Sequence, residues 1–347
     1  MTTFVRNSWY AAAWVDEVGD AMVARRILGE PLVLFRSADE GIVALLDQCP
    51  HRLLPLSMGV VAEGRIQCGY HGIEFNGAGR CVRVPGQDMI PPTAKVRTFP
   101  VVERFGLVWV WMGDEEAADP ALLPVVERYG APGWALLDGG YQHHASNYRN
   151  IIENLMDPAH TTFVHKGTIG NPAATDEPVK VGKLDGGLVA YRWVENSPPS
   201  PFDRLVMEVT GSVDRGQFFY YYLPGTSCVD IISIPAGTER EDEVMDAKGM
   251  RAFSYKFLTP EDERNTHFFW LHLRNYRLED EEWAAGLRAN LDKTFLEDAV
   301  IVKAIQDEQD RTGLHQRTAL AIDRAPVMAL AMLDKMVREE GAAVAAE

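Results

Sequence analysis

Cys49-Pro-His51 and Cys68-Gly-Tyr-His71, separated by sixteen residues, set the architecture of the first third of the chain. Each half offers one thiolate and one imidazole. Two kinds of metal site use two Cys and two His: a zinc site, and a Rieske [2Fe–2S] cluster with both Cys on one iron and both His on the other. Zinc fingers usually pair Cys with Cys and His with His. The mixed halves therefore favour a two-iron cluster held between two hairpin tips.

The sequence around these ligands is typical of a small antiparallel β domain. Short β-type runs are broken by Gly, Pro and Asp, as in residues 31–35, 41–46 and 107–112. The segment 113–120 is polar and rich in turn formers, and it follows the last strong strand signal. We therefore expect one domain over residues 1–115 and a second over residues 116–347.

The second domain contains another pair of imidazoles, in Asp157-Pro-Ala-His160-Thr-Thr-Phe-Val-His165. Residues five apart diverge by about 140° on a regular helix. The two His can meet at one ion only if the helix ends, bulges or tightens between them, and Pro158 favours a helix start close by. The alternative is a pair of core histidines near a helix end.

A long amphipathic helix, predicted from about residue 279 to residue 311, supplies a third candidate ligand. Its apolar residues recur at steps of three and four, a spacing that indicates one core-facing stripe: Trp283, Leu287, Leu291, Phe295, Val302 and Ile305. Asp298 falls on this stripe, whereas Glu297 is rotated by about 100° onto a more polar face. A core-facing carboxylate needs a partner, either an arginine or a metal. With His160 and His165 it completes a 2-His-1-carboxylate set, which is typical of non-haem Fe(II).

The remaining segments give coarser predictions. We expect a helix at 121–130 and another at 148–156, and a weakly ordered tail after residue 341. Strands are predicted from apolar and alternating runs at 134–140, 141–145, 188–194, 205–211, 217–223, 228–234, 251–257 and 266–273.

Composition excludes several kinds of partner. The 347-residue chain carries a net charge of -16, which argues against nucleic acid and anionic membrane surfaces. Its 46% hydrophobic and 24% charged residues are ordinary for a globular protein, and no stretch has the length or apolarity of a membrane span. The N-terminus lacks the order of a signal peptide, so we expect a cytoplasmic location. Four cysteines in so long a chain are no disulfide framework.

Taken together, these motifs resemble the Rieske-type aromatic ring oxygenases. The Cys49 and Cys68 segments are similar to the family's cluster motif, and the His160, His165 and Asp298 segments match its iron motif. Further segments look most like the vanillate O-demethylase and dicamba monooxygenase branch: Phe4-Val-Arg-Asn-Ser-Trp-Tyr, Val108-Trp-Val-Trp-Met-Gly and Glu153-Asn-Leu-Met-Asp-Pro-Ala-His. The resemblance implies an α+β chain, in which an all-β Rieske domain precedes a helix-grip (START-like) catalytic domain with an antiparallel sheet and a long C-terminal helix.

The resemblance also implies an activity and partners. It implies a terminal oxygenase that carries a [2Fe–2S] cluster and a mononuclear Fe(II), uses O₂, and takes electrons from a separate flavin and ferredoxin-type reductase fed by NAD(P)H. The expected reaction is monooxygenation of a small aromatic acid, either O-demethylation or hydroxylation of a methoxy or methyl substituent. Ring cis-dihydroxylation is one alternative. The other is a Rieske electron carrier fused to a ligand-binding domain.

For Asp157 the resemblance implies a bridging role. The family's equivalent carboxylate lies between a cluster His of one subunit and an iron His of the next in a head-to-tail homotrimer. Carried over, Asp157 would accept hydrogen bonds from His71 and His160. A helix N-cap before Pro158 is the alternative, and the two roles are compatible. Asn154 would lie close to the iron or would be an ordinary polar helix residue.

Substrate-binding residues are expected on the strands between the iron motif and the long helix. An aromatic carboxylate favours a cation or hydroxyl in an otherwise apolar cavity. The candidates by position are Asp230, Tyr255, Lys256 and His272, together with Arg251. The chain departs from the dicamba-type pattern near Asp230 and Lys256, where the family's Asn and His are not retained. This departure predicts a different substrate.

Overall fold

The computed structural model describes residues 4–19, 21–166, 177–199, 201–207, 209, 211–316 and 318–344. The chain divides into two compact units. The first comprises Met1–Leu123, Thr259–Glu263 and Glu340–Glu347, and the second comprises Pro124–Leu258 and Arg264–Glu339. The domain limit at residue 115 stays a prediction.

The described part of the first unit consists of short strands: β1 (Trp9–Trp14), β2 (Val23–Ile27), β3 (Glu30–Ser37), β4 (Gly41–Leu46), β5 (Val60–Ala62), β6 (Arg65–Gln67), β7 (Glu74–Phe75), β8 (Cys81–Arg83), β9 (Thr98–Phe99), β10 (Val101–Arg104) and β11 (Leu107–Trp111). They pair antiparallel in the orders β1-β11-β10, β2-β3-β4-β9 and β5-β6-β7-β8. The strands predicted at 31–35, 41–46 and 107–112 are confirmed as β3, β4 and β11, and β11 ends one residue before the predicted limit. Cys49 and Cys68 belong to the apolar cluster that β3, β4 and β7 bury, with Val33, Leu45 and Phe75.

The second unit is organised around one antiparallel sheet: β12 (Ala135–His144), β13 (Lys180–Leu184), β14 (Gly187–Ser197), β15 (Val213–Tyr222), β16 (Thr226–Pro235), β17 (Met250–Pro260) and β18 (Thr266–Arg274). The strand order is β12-β18-β17-β16-β15-β14-β13. Successive side chains of a strand point to opposite faces. Each strand therefore divides its residues between two environments.

The helices are α1 (Tyr148–Leu155), α2 (Thr161–Val164), α3 (Pro201–Val206), α4 (Asp242–Lys248), α5 (Glu281–Thr312) and α6 (Arg324–Val344). The helix α5 begins after Asp280, whose carboxylate accepts the Trp283 N–H at 2.9 Å, and ends at Gly313 in the left-handed region, with a φ of 69°. This agrees with the helix predicted over 279–311. Within the described residues, none of these helices has the length and apolarity of a membrane span.

Several predictions of local structure are wrong. The predicted strand at 205–211 begins inside α3, because Pro201 and Asp203 favour a helical first turn; residues 208 and 210 lie outside the described residues. The helix predicted at 121–130 is reduced to one 3₁₀ turn, Pro120–Leu122. The two strands predicted at 134–140 and 141–145 are the single strand β12, whose register shifts between Leu137 and Gly140. The tail predicted as weakly ordered after residue 341 continues α6 up to Val344, and residues 345–347 lie outside the described residues.

Candidate active site

The side chains of His160, His165 and Asp298 meet in the second unit. Each offers a ligand atom, and these atoms lie within 4.8 Å of one another. The Nε2 atoms of His160 and His165 lie 3.4 Å and 3.2 Å from Asp298 Oδ1. The imidazole rings are 5.3 Å apart and inclined at 71°. The three residues that the sequence predicts as iron ligands are thus brought together.

The chain path explains how two His five residues apart can converge. The helix α1 ends at Leu155, and the next helix, α2, starts only after His160 and ends before His165. The Val164 N–H donates to the His160 carbonyl at 2.9 Å. A one-turn helix flanked by the two His replaces the continuous helix on which their side chains would diverge.

The long helix presents Asp298 on its buried face. Buried Leu291, Phe295 and Val302 share this face, whereas Ile305, predicted for the same stripe, is 43% exposed. Burial alone would raise the pKa of Asp298, but hydrogen bonds from His160 and His165 outweigh it and lower that pKa. The carboxylate is therefore ionised, as a metal ligand must be.

Glu297 is a functional candidate that the sequence did not predict. Its Oε2 lies 2.9 Å from Nδ1 of His165. Burial would lower the pKa of His165, but hydrogen bonds with Asp298 and Glu297 raise it. A carboxylate on Nδ1 fixes the orientation of the imidazole, with Nε2 directed at Asp298 and at the position that a metal would take. The sequence clue that could have identified Glu297 is its position next to Asp298.

Asn154 and Asp157 have different roles in the described structure. The Asn154 side-chain amide donates to Asp298 Oδ1 at 3.1 Å, so it contacts the ligand set directly. The Asp157 carboxylate accepts the Ala159 N–H at 2.8 Å, as a turn cap does. Nδ1 of His160 bonds to the Asp157 carbonyl oxygen at 2.5 Å and lies 4.0 Å from its carboxylate.

The two Cys/His loops of the first unit have the same backbone pattern. The Cys49 N–H donates to the Leu54 carbonyl at 2.9 Å, and the Cys68 N–H donates to the Ile73 carbonyl at 2.8 Å. Four residues after each Cys the backbone is left-handed, at Leu53 (φ 63°) and at Gly72 (φ 66°).

The ligand side chains of these loops lie side by side. Cys49 and Cys68 are free thiols, 1% and 2% exposed, and the His51 and His71 rings are 4.5 Å apart near the surface. Burial raises the pKa of the Cys49 thiol, and the neighbouring Cys68 adds to the effect. Two buried thiols and two outer imidazoles are the donor set that a Rieske cluster needs.

A cavity of about 470 Å³ adjoins the His160, His165 and Asp298 side chains. It lies between the sheet and α5. Its other lining residues are Leu155, Thr161, Phe202, Arg215, Gln217, Phe219, Val229, Ile231, Met250, Ala252, Ser254, Lys256, His272, Tyr276, Leu287, Asn290, Leu291, Thr294 and Phe295. A mostly apolar pocket with few polar groups is typical of a small-molecule site.

The predicted substrate residues fall on both faces of the sheet. Lys256 and His272 line the cavity. Asp230 instead accepts two hydrogen bonds from Arg251, at 2.7 and 3.0 Å, and the Tyr255 hydroxyl accepts a backbone N–H from residue 127. Tyr255 neighbours Lys256 on β17 and therefore points to the opposite face. We do not retain Asp230, Tyr255 and Arg251 as pocket residues.

Two protein-family models match the chain, in two successive segments. The family model of the Rieske [2Fe-2S] domain matches residues 8–100, and the model of the vanillate O-demethylase oxygenase C-terminal domain matches residues 144–339. The chain belongs to this family of Rieske oxygenases. It is therefore an oxidoreductase with an all-β Rieske domain followed by a domain of antiparallel sheet and long helix.

Relatives match this Rieske oxygenase over nearly their whole length. The iron-sulfur subunit of the toluene-4-sulfonate monooxygenase system of Comamonas testosteroni is 33% identical, over 99% of each chain. The oxygenase component of dicamba O-demethylase of Stenotrophomonas maltophilia is 34% identical, over 98% of this chain and 100% of that protein. The crystal structure of dicamba monooxygenase bound to 3,6-dichlorosalicylic acid superposes with a TM-score of 0.88, at 33% identity over 98% and 99% of the two chains.

The cofactors of this Rieske oxygenase are a [2Fe–2S] cluster and a mononuclear iron. The residues present suit both groups. The first unit offers two thiols and two imidazoles on matched loops. The second offers two Nε2 atoms and an ionised carboxylate beside a cavity.

Proposed function

We propose that this chain is the terminal oxygenase that monooxygenates a small aromatic acid, by O-demethylation or by hydroxylation of a methoxy or methyl substituent. The observation that carries the proposal is one cavity that joins the His160, His165 and Asp298 set to apolar walls and to the cation of Lys256. Two relatives support it, because toluene-4-sulfonate and dicamba are aromatic acids.

The proposal assigns roles to residues. His160, His165 and Asp298 hold the iron, and Cys49, His51, Cys68 and His71 hold the cluster. An iron held there would supply the site for O₂ activation, and a cluster held in the Rieske domain would supply the electrons. Asn154 holds the Asp298 carboxylate in place, since its amide donates to Oδ1 at 3.1 Å. The cavity walls keep the substrate beside this set and exclude bulk water.

The proposal includes an assembly. A flavin and ferredoxin-type reductase supplies electrons from NAD(P)H, and a head-to-tail homotrimer brings the cluster of one subunit to the iron of the next. Asp157 bridges that boundary, and its carboxylate lies 4.0 Å from Nδ1 of His160. We place the Rieske domain at 1–115, the catalytic domain at 116–347, and the protein in the cytoplasm.

Product analysis tests the reaction. The purified oxygenase with a surrogate reductase is supplied with methoxy-, methyl- and carboxy-substituted benzoates, and O₂ uptake is compared with product. Formaldehyde or a hydroxymethyl product in step with O₂ uptake is the expected result. A cis-diol would show dihydroxylation instead, and O₂ uptake without organic product across the panel would refute the proposal.

Asp298→Ala tests the ligand assignment and the electron-carrier alternative. The variant should keep the visible spectrum and the two irons of the cluster but lose the mononuclear iron and turnover. Iron content and cluster absorbance measure this directly. A variant that retains mononuclear iron and turnover would show that Asp298 is not a ligand. A wild-type chain that binds only the cluster irons would support the carrier alternative.

A further inference from the structure

Among the described residues, the buried imidazole of His272 has no hydrogen-bond partner. It is 6% exposed and lines the cavity, and within the described residues both Nδ1 and Nε2 are without a hydrogen bond. Burial, with Lys256 and Arg274 nearby, lowers its pKa to about 3, so the ring is neutral and has one N–H donor. Leaving buried polar atoms unsatisfied costs free energy. A ligand in the cavity would remove that cost.

Lys256, beside it, is a buried cation that forms no ion pair among the described residues, although the Asp298 carboxylate acts on it electrostatically. It is 3% exposed, and in the described part of the chain its ammonium donates only to the Ser254 carbonyl, at 3.0 Å. Two of its three hydrogens remain to be donated. A buried charge without an opposite partner is costly, so this position favours an anionic ligand.

Ser254 adds a further donor to the same wall. It precedes Lys256 by two on β17, so both side chains face the cavity. Its hydroxyl is buried and has no hydrogen-bond partner among the described residues. Ammonium, imidazole and hydroxyl donors in an apolar wall form a recognition site for an oxyanion.

We propose that Lys256, His272 and Ser254 form the subsite that binds the acid group of the substrate, a carboxylate or sulfonate on an aromatic ring, and that Lys256 selects anions over neutral analogues. The inference rests on the proposed function, because it names the part of the cavity that binds the acid group of the substrate. The other cation of the lining, Arg215, is a poorer candidate, since its Nε already lies 3.7 Å from the buried Asp203 carboxylate.

The position of the subsite also orients the ligand. The Lys256 ammonium lies 5.4 Å from the centre of the Phe295 ring, and Phe295 precedes Asp298 by three residues, nearly one turn of α5. The acid group is therefore held beside the metal set rather than on it. The ring and its substituents are left to face His160, His165 and Asp298.

Equilibrium binding without a reductant tests the subsite independently of any reaction. The holoenzyme is titrated calorimetrically with 4-methylbenzoate, 4-methylbenzenesulfonate and 4-methylbenzamide, which differ only in the head group. We expect at least one of the two anions to bind tenfold or more tightly than the neutral amide, and the stronger anion identifies the acid. Wild-type enzyme that binds neither anion more tightly than the amide would overturn the proposal.

Variants assign the selectivity to Lys256. Lys256→Met keeps the side-chain length and should weaken anion binding by about tenfold to a hundredfold, with little effect on the amide. Lys256→Arg should retain the preference for anions. Lys303→Met, on an exposed lysine paired with Asp307, is the matched control and should bind all three probes as wild type does.

Two outcomes of these binding experiments would refute the roles given to Lys256 and His272. Unchanged anion affinity in Lys256→Met would refute the role of Lys256. His272→Asn, which keeps an amide donor, should weaken the anions less than His272→Leu does, and equal affinities in both would refute the imidazole's part. Cluster absorbance and far-UV circular dichroism verify the fold. Because no turnover is involved, failure of the proposed reaction leaves these results intact, and failure of binding leaves the product analysis intact.

Discussion

At the scale of single residues, Glu297 acts on the metal site through His165. Its carboxylate lies 2.9 Å from Nδ1, and His165 is 1% exposed, so the contact is shielded from water. By accepting a hydrogen bond from Nδ1–H, Glu297 would keep the Nε2 lone pair directed at a bound ion and would raise its basicity. His160 gains a similar orientation from the Asp157 carbonyl oxygen.

Glu297→Gln should lower iron affinity without affecting the cluster. The amide oxygen can still accept the Nδ1–H but lacks the charge that strengthens the bond. Competition with a chelator should show iron binding weaker by about tenfold or more. Asp307→Asn, which removes an exposed carboxylate of the same helix, is the control. Equal iron affinities in wild type and Glu297→Gln would contradict the positioning role.

The binding of an aromatic anion should weaken at alkaline pH. Burial lowers the pKa of Lys256 to about 8, so its ammonium is charged below that value and neutral above it. His272, with a pKa of about 3, stays neutral throughout. Affinity for 4-methylbenzoate should therefore be constant between about pH 6 and 7, where the probe is fully ionised, and fall as pH rises through 8. In Lys256→Arg it should stay constant, and a parallel decline there would assign the effect to another group.

Residue types and spacing predicted much of this site, but not its second layer. His160, His165 and Asp298 could be singled out because two imidazoles and a core-facing carboxylate need a common explanation. Glu297 was missed although it adjoins Asp298, because a helical wheel places a residue by its Cα and ignores the reach of a long side chain. The partner of Glu297 lies 132 residues away in the sequence.

At the scale of elements, local signals predicted α5 well and α3 badly. Asp280 caps the start of α5 and Gly313 ends it, and both effects act through neighbouring backbone groups. For α3, the alternation of residues 205–211 suggested a strand, but Pro201 starts a helix. The sequence also could not predict which residues of β17 face the cavity. Every residue of this strand is buried, so no exposed polar side distinguishes the face of Lys256 from that of Tyr255.

Gly140→Ala should strain the sheet below α5. A Cβ at this position would lie 2.3 Å from Nε1 of Trp270, a fully buried ring that packs on Phe295 at 5.3 Å. Overpacking of this kind costs about 1–3 kcal/mol. Thermal unfolding should show the loss. Gly286→Ala, whose Cβ meets nothing within 4 Å inside α5, should be neutral or stabilising, and an equal loss there would contradict a steric origin.

At the scale of the whole molecule, the proposed trimer makes Asp157 and His71 parts of one electron path in different subunits. Asp157→Asn keeps the cluster ligands, and His71→Ala keeps the iron ligands. Each homogeneous variant should be nearly inactive. Trimers assembled from both variants should regain turnover, because the cluster of one chain faces the intact Asp157 and iron of another.

Co-expression of the two variants with different affinity tags provides the test. Assemblies purified through both tags contain both chains, and formaldehyde or hydroxylated product measures their turnover. Wild-type chains carrying the two tags are the control. Mixed assemblies as inactive as either parent would show that electrons do not cross between chains by this route.

The contacts among His160, His165, Asp298 and Asn154 have a consequence for the maturation of the enzyme. The fold gathers the donor atoms by its own hydrogen bonds, so the ion does not have to organise them. Two imidazoles and a carboxylate bind copper, nickel and zinc at least as strongly as ferrous iron. We therefore expect these residues to discriminate poorly between ferrous iron and competing divalent metals, so that the ions available during synthesis would influence which metal is bound.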